Sequence, residues 1–185
     1  TWLWDQSTLK PGSDTVLPGE TVPEVFWNGV ARRGDKVWMR EKEYGIWQTW
    51  SWQRAHDEVR QLACGLAALG FTPGHNLAIV GDNRPHLYLM FLATQALGGV
   101  PVPMYQDAVA AEMTFVLQDA EVQFVFAEDQ EQVDKMLELR ETVPGLTHII
   151  YDDARGLRNY TQPGLISTEA LMALGRKHHD ANPRL

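Results

Sequence analysis

The sequence predicts an α/β fold, in which a mostly parallel, doubly wound sheet is flanked by helices and preceded by a Trp-rich β-hairpin. Three observations lead to this prediction. After residue 52, helical segments alternate with short apolar strands, an order that gives a parallel sheet with helices on both faces. All seven tryptophans fall within the first 52 residues, and several flank a Tyr-Gly turn. The composition, 44% hydrophobic and 22% charged over 185 residues, is that of a globular domain or a piece of one.

The chain is predicted to begin with an irregular arm and a short helix. Residues 1–21 contain two Pro-Gly pairs, which indicate turns and an N-terminal arm without regular structure. Residues 22–33 follow with a helical pattern, and Gly34 is expected to end that helix.

The hairpin prediction rests on two strand-like runs, 37–42 and 46–52, on either side of Tyr44-Gly45. In the second run Trp50 and Trp52 are two residues apart, so we expect them on one face of the strand. Aromatic packing across the strands is the favoured explanation of this cluster. Base stacking fits an acidic chain poorly, and sugar binding is the remaining alternative.

The rest of the chain alternates between helices and strands. Ser51 is the expected N-cap of an amphipathic helix, and Gly70 is expected to end it. The apolar residues that set its period are Ala55, Val59, Leu62, Ala63 and Leu66. Strands are predicted at 76–80, 123–127 and 147–151, with an extended segment at 100–103. Helices are predicted at 83–97, at 110–117, from 129 onward and at 167–177.

The charge of the chain argues against a nucleic-acid surface. Sixteen Lys and Arg against 24 Asp and Glu give a net charge of −8, whereas nucleic-acid binding normally needs a basic patch. Residues 105–141 hold ten of the acids, and we expect these to be solvated faces of helices.

Cysteine content and hydropathy indicate a cytoplasmic protein. Cys64 is the only cysteine, so no disulfide forms within the chain, and its apolar neighbours predict a buried, unreactive thiol. The longest apolar run, 87–93, is too short to span a membrane.

No familiar catalytic motif is present. The sequence has no G-x-G fingerprint, no Walker-type loop and no G-x-S-x-G elbow, and its six histidines lack the i, i+4 spacing of a helical metal site. No metal ligand is therefore assigned. Ligands of parallel sheets bind beyond the carboxyl ends of the strands, so the polar residues that follow the predicted strands are the candidates.

Several segments nevertheless resemble the core motifs of adenylate-forming enzymes. They are 49–52 (TWSW), 70–74 (GFTPG), 78–85 (AIVGDNRP) and 96–105 (ALGGVPVPMY). The Asn83-Arg84-Pro85 turn and Tyr105 are most similar to the long-chain fatty acyl-CoA synthetase branch. That branch usually has Glu-Trp where this chain has His86-Leu87.

The resemblance implies an enzyme that activates a carboxylate with ATP and Mg²⁺ and then transfers the acyl group to coenzyme A. Residues 22–185 would be the N-terminal part of its AMP-binding large domain, without the phosphate loop and the C-terminal domain. The chain alone is then expected to be inactive and to bind none of these cofactors tightly. Asn83, Arg84 and Tyr105 are its substrate-cleft candidates, and no catalytic residue is assigned.

The partners implied by this resemblance are the remainder of the same polypeptide and a fatty acid or other carboxylate. A homodimer and peripheral membrane contact are compatible with it. The competing hypothesis is a non-catalytic α/β binding or assembly module derived from such enzymes, with the Trp-rich hairpin as its partner surface.

Overall fold

The computed structural model describes residues 19–182. The predicted N-terminal arm therefore lies almost wholly outside the described residues. The elements in chain order are α1 (Val22–Arg33), β1 (Val37–Glu43), β2 (Ile46–Ser51), α2 (Trp52–Ala68), β3 (Asn76–Val80), α3 (Pro85–Ala96), β4 (Val100–Met104), α4 (Ala110–Asp119), β5 (Phe124–Ala127), α5 (Gln130–Leu139), β6 (His148–Tyr151), β7 (Leu165–Ser167) and α6 (Thr168–Ala181). Within residues 19–182, no helix has the length and apolar character needed to cross a membrane.

The central sheet has five strands in the order β4-β3-β5-β6-β7, and every neighbouring pair is parallel. From β3 the chain moves outward to β4, then returns to the other side of β3 and continues through β5, β6 and β7. This reversal places the connecting helices on opposite faces of the sheet, because parallel crossovers are right-handed. The predicted doubly wound α/β fold is confirmed.

The alternation of side chains along the strands divides the interior into two cores. Leu77, Ile79 and Phe126 point to the face that packs with α2, α3 and α6, whereas Ala78 and Val125 point to the face covered by α4 and α5. These strand residues are at most 1% exposed. Both faces are thus buried, which explains why the strands read as continuous apolar runs rather than as alternating patterns.

A separate antiparallel ribbon of β1 and β2 forms the predicted hairpin. The prediction was wrong about Trp52, which is the first residue of α2 rather than a strand residue, because Ser51 caps the helix with its side chain. Trp52 stacks on Phe26 of α1 at 5.8 Å between ring centroids and lies 5.5 Å from Trp38. The aromatic cluster therefore joins the ribbon to two helices.

The start of α3 and the presence of β7 also differ from the prediction, and several other elements end at different residues from those predicted. Helix α3 begins at Pro85 instead of residue 83, because the residue before a proline is excluded from the helical region and Arg84 is extended at φ −108° and ψ 159°. Strand β7 was missed, since three residues at a sheet edge are too few to show a period.

Candidate functional site

The carboxyl ends of the parallel strands gather acidic residues at one edge of the sheet. Val80 pairs with Ala127, and Ala127 pairs with Tyr151. The residues that follow each strand, Asp82, Glu128 and Asp152, are consequently brought to the same edge. The gap between β3 and β5 is the point where the strand order reverses, which is where ligands of doubly wound sheets usually bind.

Glu128 occupies this point. Its carboxylate accepts a short hydrogen bond from the backbone N–H of Asp82 and forms an ion pair with Arg84, with 2.5 Å between Arg84 Nε and Glu128 Oε1. Gly81 makes the approach possible, because a Cβ at that position would lie 2.5 Å from the Cβ of Glu128. The expectation that all the acids of 105–141 are solvated was therefore wrong for Glu128, which is 9% exposed.

Arg84 is held from two sides. In addition to Glu128, its guanidinium donates to Glu41 of β1, with 2.9 Å between Nη1 and Oε1. Burial opposes the charge of Arg84, but both carboxylates outweigh it and raise its pKa above the ordinary value. Arg84 thereby links the ribbon to the sheet edge.

The other two residues predicted for the site lie elsewhere. Asn83 accepts a hydrogen bond from the Tyr88 hydroxyl at 3.2 Å, and Tyr105 is 87% exposed. Within the described part of the chain, neither is among the residues that line the cleft next to Arg84. The neighbour of Tyr105, Gln106, instead donates to Asp82 at 2.7 Å and so steadies the turn after β3.

This cleft lies between the ribbon and the strand ends and has a volume of about 400 Å³. One wall comes from the ribbon, with Glu41, Tyr44 and Trp50, and the other from the turn after β6, with Asp152 and Arg155. Arg155 forms an ion pair with Asp153, whose pKa is lowered by the hydrogen bond from that guanidinium. The mouth is thus polar, and Tyr44 stands beside it 80% exposed.

His86 lies inside the cleft between two carboxylates. Its Nδ1 is 2.8 Å from Asp152 Oδ1, and its Nε2 is 3.7 Å from Glu58 Oε2. Burial alone would lower the pKa of His86, but the neighbouring carboxylates of Asp152 and Glu58 favour the charged ring and raise its pKa to about 9. Sequence inspection missed this group because its three members come from α3, α2 and the turn after β6.

The chemistry of the cleft is that of an internally compensated ion-pair network. Each of its cations, Arg54, Arg84, His86 and Arg155, already faces a carboxylate. No group of three or more His, Cys, Asp or Glu side chains in residues 19–182 is arranged to hold a metal ion. The network positions the turn after β3 and the start of α3, and it leaves no cation in the cleft without an acidic partner.

Binding of an ATP phosphate or its Mg²⁺ between β3 and β5, where the strand order reverses, depends on the groups that lie there. The donors there include the Asp82 N–H and the Arg84 Nε–H, and the Glu128 carboxylate lies against both. A phosphate would have to displace that carboxylate or lie against its negative charge. The Glu128 carboxylate therefore opposes a nucleotide phosphate at this point of the described structure.

Comparison with known proteins decides the family. The profile described as "AMP-binding enzyme" matches residues 26–180, most of the chain. This chain belongs to the AMP-binding enzyme family. The resemblance inferred from the sequence motifs is confirmed.

Curated relatives of this family member include long-chain-fatty-acid–CoA ligases. It is 27% identical over 175 residues to "Long-chain-fatty-acid--CoA ligase ACSBG2" of Xenopus laevis, covering 94% of this chain and 23% of the relative. It is 31% identical over 140 residues to "Long-chain-fatty-acid--CoA ligase FadD15" of Mycobacterium tuberculosis, covering 76% and 23% respectively. The chain thus spans less than a quarter of the length of these relatives.

Solved structures agree on the fold. The acetoacetyl-CoA synthetase from Streptomyces lividans superposes with a TM-score of 0.72 at 26% identity, over 82% of this chain and 24% of that one. The anthranilate CoA ligase AuaEII in complex with anthranoyl-AMP gives the same TM-score at 16% identity, over 82% and 27%. In both cases the AMP-binding family member matches only part of the larger enzyme.

Proposed function

We propose that residues 22–185 form the N-terminal part of the large domain of an ATP-dependent fatty acid–CoA ligase. The complete protein would join a fatty acid to AMP from ATP, release pyrophosphate and then form the thioester with coenzyme A. The observation that supports this most directly is the 31% identity to a long-chain-fatty-acid–CoA ligase within a family match that covers residues 26–180.

The proposed role of this part is structural support of the substrate cleft. ATP, Mg²⁺ and coenzyme A would be bound by the remainder of the same polypeptide, and the Glu128 carboxylate between β3 and β5, which opposes a phosphate there, supports this proposal. Arg84 would orient the cleft wall through Glu41 and Glu128. Asn83 and Tyr105 remain proposed contacts to the substrate or to the rest of the protein, and the exposure of Tyr105 is compatible with such a contact.

A pyrophosphate-release assay tests this proposal. The complete protein is expected to release pyrophosphate from ATP and Mg²⁺ only when a fatty acid such as palmitate is added, and to form palmitoyl-CoA when coenzyme A is present. Acetate and octanoate, supplied in parallel, report the preferred chain length. A complete protein that is inactive with every fatty acid would contradict the proposal.

The 185-residue chain provides the matched control in the same assay. We expect no release above the no-enzyme rate, because the proposal places the groups that stabilise the charge of the transferring phosphate in the remainder of the polypeptide. Fatty-acid-dependent release from the chain alone would show that these groups lie within it.

A non-catalytic binding or assembly module is the second candidate function. The observation that favours it is the tip of the ribbon, where Tyr44, Ile46 and Trp47 are each more than half exposed. Large apolar side chains grouped in this way are typical of surfaces that contact a partner. Under this hypothesis the complete protein binds a partner through the tip and shows no adenylation.

A further inference from the structure

The two ring nitrogens of His86 face carboxylates from two different elements. Asp152, in the turn after β6, lies 2.8 Å from Nδ1, and Glu58 of α2 lies 3.7 Å from Nε2. A neutral imidazole has one N–H and can donate to only one of them. The Glu58 contact, at 3.7 Å, is longer than a hydrogen bond, so it is favourable as an attraction between charges. Both carboxylates are therefore compensated only when the ring is protonated and positively charged.

Glu58 connects this pair to the ribbon. Its Oε2 accepts a hydrogen bond from the Trp50 indole N–H at 2.8 Å, and its Oε1 pairs with Arg54 at 2.8 Å. The Trp50 ring also lies edge-on to His86, with 6.2 Å between ring centroids. Four elements, β2, α2, α3 and the end of β6, therefore meet at one imidazole.

The charges around the ring favour its protonated form. His86 is in the first turn of α3, where the partial positive charge of the helix N-terminus works against a cation. Acidic groups outnumber basic ones on the surrounding elements and offset that effect. The charged residues that share the cleft with His86 and Glu58 are Glu41, Glu43, Arg54, Arg84, Glu128, Asp152, Asp153 and Arg155.

We infer that His86 is a positioning residue, whose imidazolium ties the start of α3 to α2 and to the turn after β6 and so fixes the cleft wall that carries Arg84. Arg84 is two residues before His86 and occupies the N-cap position of the same helix, without a capping hydrogen bond from its side chain. A shift of the first turn of α3 would therefore move Arg84 relative to Glu128. The raised pKa of His86, about 9, agrees with a ring that stays charged at neutral pH.

A pH titration followed by NMR tests the inference in the 185-residue chain. We expect the His86 ring signals to titrate near pH 9 instead of 6.5, and the Trp50 indole N–H signal to move with the same midpoint. A His86 midpoint near 6.5, or a Trp50 signal that does not follow it, would overturn the inference.

Variants separate the positioning role from a general loss of structure. Asp152→Asn is expected to move the His86 midpoint toward 6.5, since it removes one of the two charges that stabilise the imidazolium. His86→Gln is expected to remove the pH response of Trp50 and to lower the melting temperature by about 3–6 °C at pH 7. His178→Gln on α6 is the matched control and should leave the Trp50 titration unchanged.

The consequence for activity rests on the proposed function and is measured separately. In the complete protein, kcat/KM for adenylate formation should fall as the pH rises through 9. The His86→Gln variant should not show this decrease, and its KM at pH 7 should be higher. A profile identical in the two proteins would overturn the positioning role in catalysis. Complete inactivity of the unmodified protein would count against the proposed function, whereas the NMR titration decides the inference about His86 by itself.

Discussion

Glu128 shows how a single residue changes its role when its neighbours are brought from elsewhere in the chain. In the sequence it stands next to Asp129 in a long acidic stretch. In the structure Asp129 caps α5, with its Oδ1 accepting from the Gln132 N–H at 3.1 Å, whereas Glu128 is buried against Asp82 and Arg84. Of these two adjacent acids, Asp129 therefore caps a helix, and Glu128 lies at the centre of the ion-pair network in the cleft.

This difference leads to a stability prediction for Glu128→Ala. The substitution leaves the Asp82 N–H without its acceptor and removes one of the two partners of Arg84, and we expect the free energy of unfolding to fall by about 2 kcal/mol. Arg84 is 42% exposed, so solvent screening keeps the ion-pair share of this loss small. Urea unfolding measures the change. The control is Glu112→Ala, at an exposed position of α4, which should lower the free energy of unfolding by less than about 0.5 kcal/mol. Equal effects of the two substitutions would refute the assigned role.

At the scale of elements, the closest helix contact is the crossing of α2 and α6. Gly65 and Gly175 face each other there, and a Cβ on Gly175 would overlap the carbonyl oxygen of Gln61 and lie 2.8 Å from the Gly65 nitrogen. Two glycines therefore allow the backbones to approach more closely than any side chain would permit. Neither residue stands out in the sequence, because glycine inside a helix is ordinarily read as a weak point.

Gly175→Ala is expected to force these helices apart. Both obstructing atoms belong to backbone and cannot rotate away, so we predict a loss of about 3 kcal/mol in the free energy of unfolding, even though alanine is the better helix former. Gly145→Ala is the control, because its Cβ would lie 3.9 Å from the nearest atom, the carbonyl oxygen of Val122. That variant should be neutral or slightly stabilising in the same thermal or urea measurement. A stabilised Gly175→Ala chain would contradict the close crossing.

At the scale of the whole molecule, the two cores share the strands of one sheet, so we expect them to unfold cooperatively. Consecutive strand residues point into opposite cores, so neither core can lose its packing without disturbing the strands of the other. Leu117 lies in the core formed by α4 and α5, and Leu66 lies in the core on the opposite face; both are fully buried.

We therefore predict that Leu117→Ala and Leu66→Ala each destabilise the chain by about 3 kcal/mol and that each variant still unfolds in a single transition. Circular dichroism and tryptophan fluorescence should give the same midpoint, although all the described tryptophans lie on the Leu66 side or in the ribbon. Phe115→Ala, at a position 72% exposed, should change little. Separate transitions for the two probes in Leu117→Ala would show that the cores fold independently.

The sequence by itself determined most of the elements and the class of the fold. Local signals were sufficient for α1, whose predicted bounds agree with the structure, since its N-cap and terminal glycine are adjacent to the segment they limit. The run of apolar strands between helices was sufficient for the parallel sheet, because both of its faces are buried. The order of the short motifs from residue 49 to 105 was sufficient for the family.

Only the tertiary structure decided which polar residues form the site. Of the three substrate-cleft candidates, Arg84 lines the cleft beside the ribbon, whereas Asn83 and Tyr105 do not, and a substrate contact by any of the three stays a prediction. Glu58, His86, Glu128 and Asp152 carry no local signal, because each is a common charged residue whose partner lies on a different element. Their shared location follows from the strand register and from the reversal of strand order at β3. Ion pairs between residues that are far apart in the sequence depend on how the chain folds. They leave no periodic pattern along the sequence.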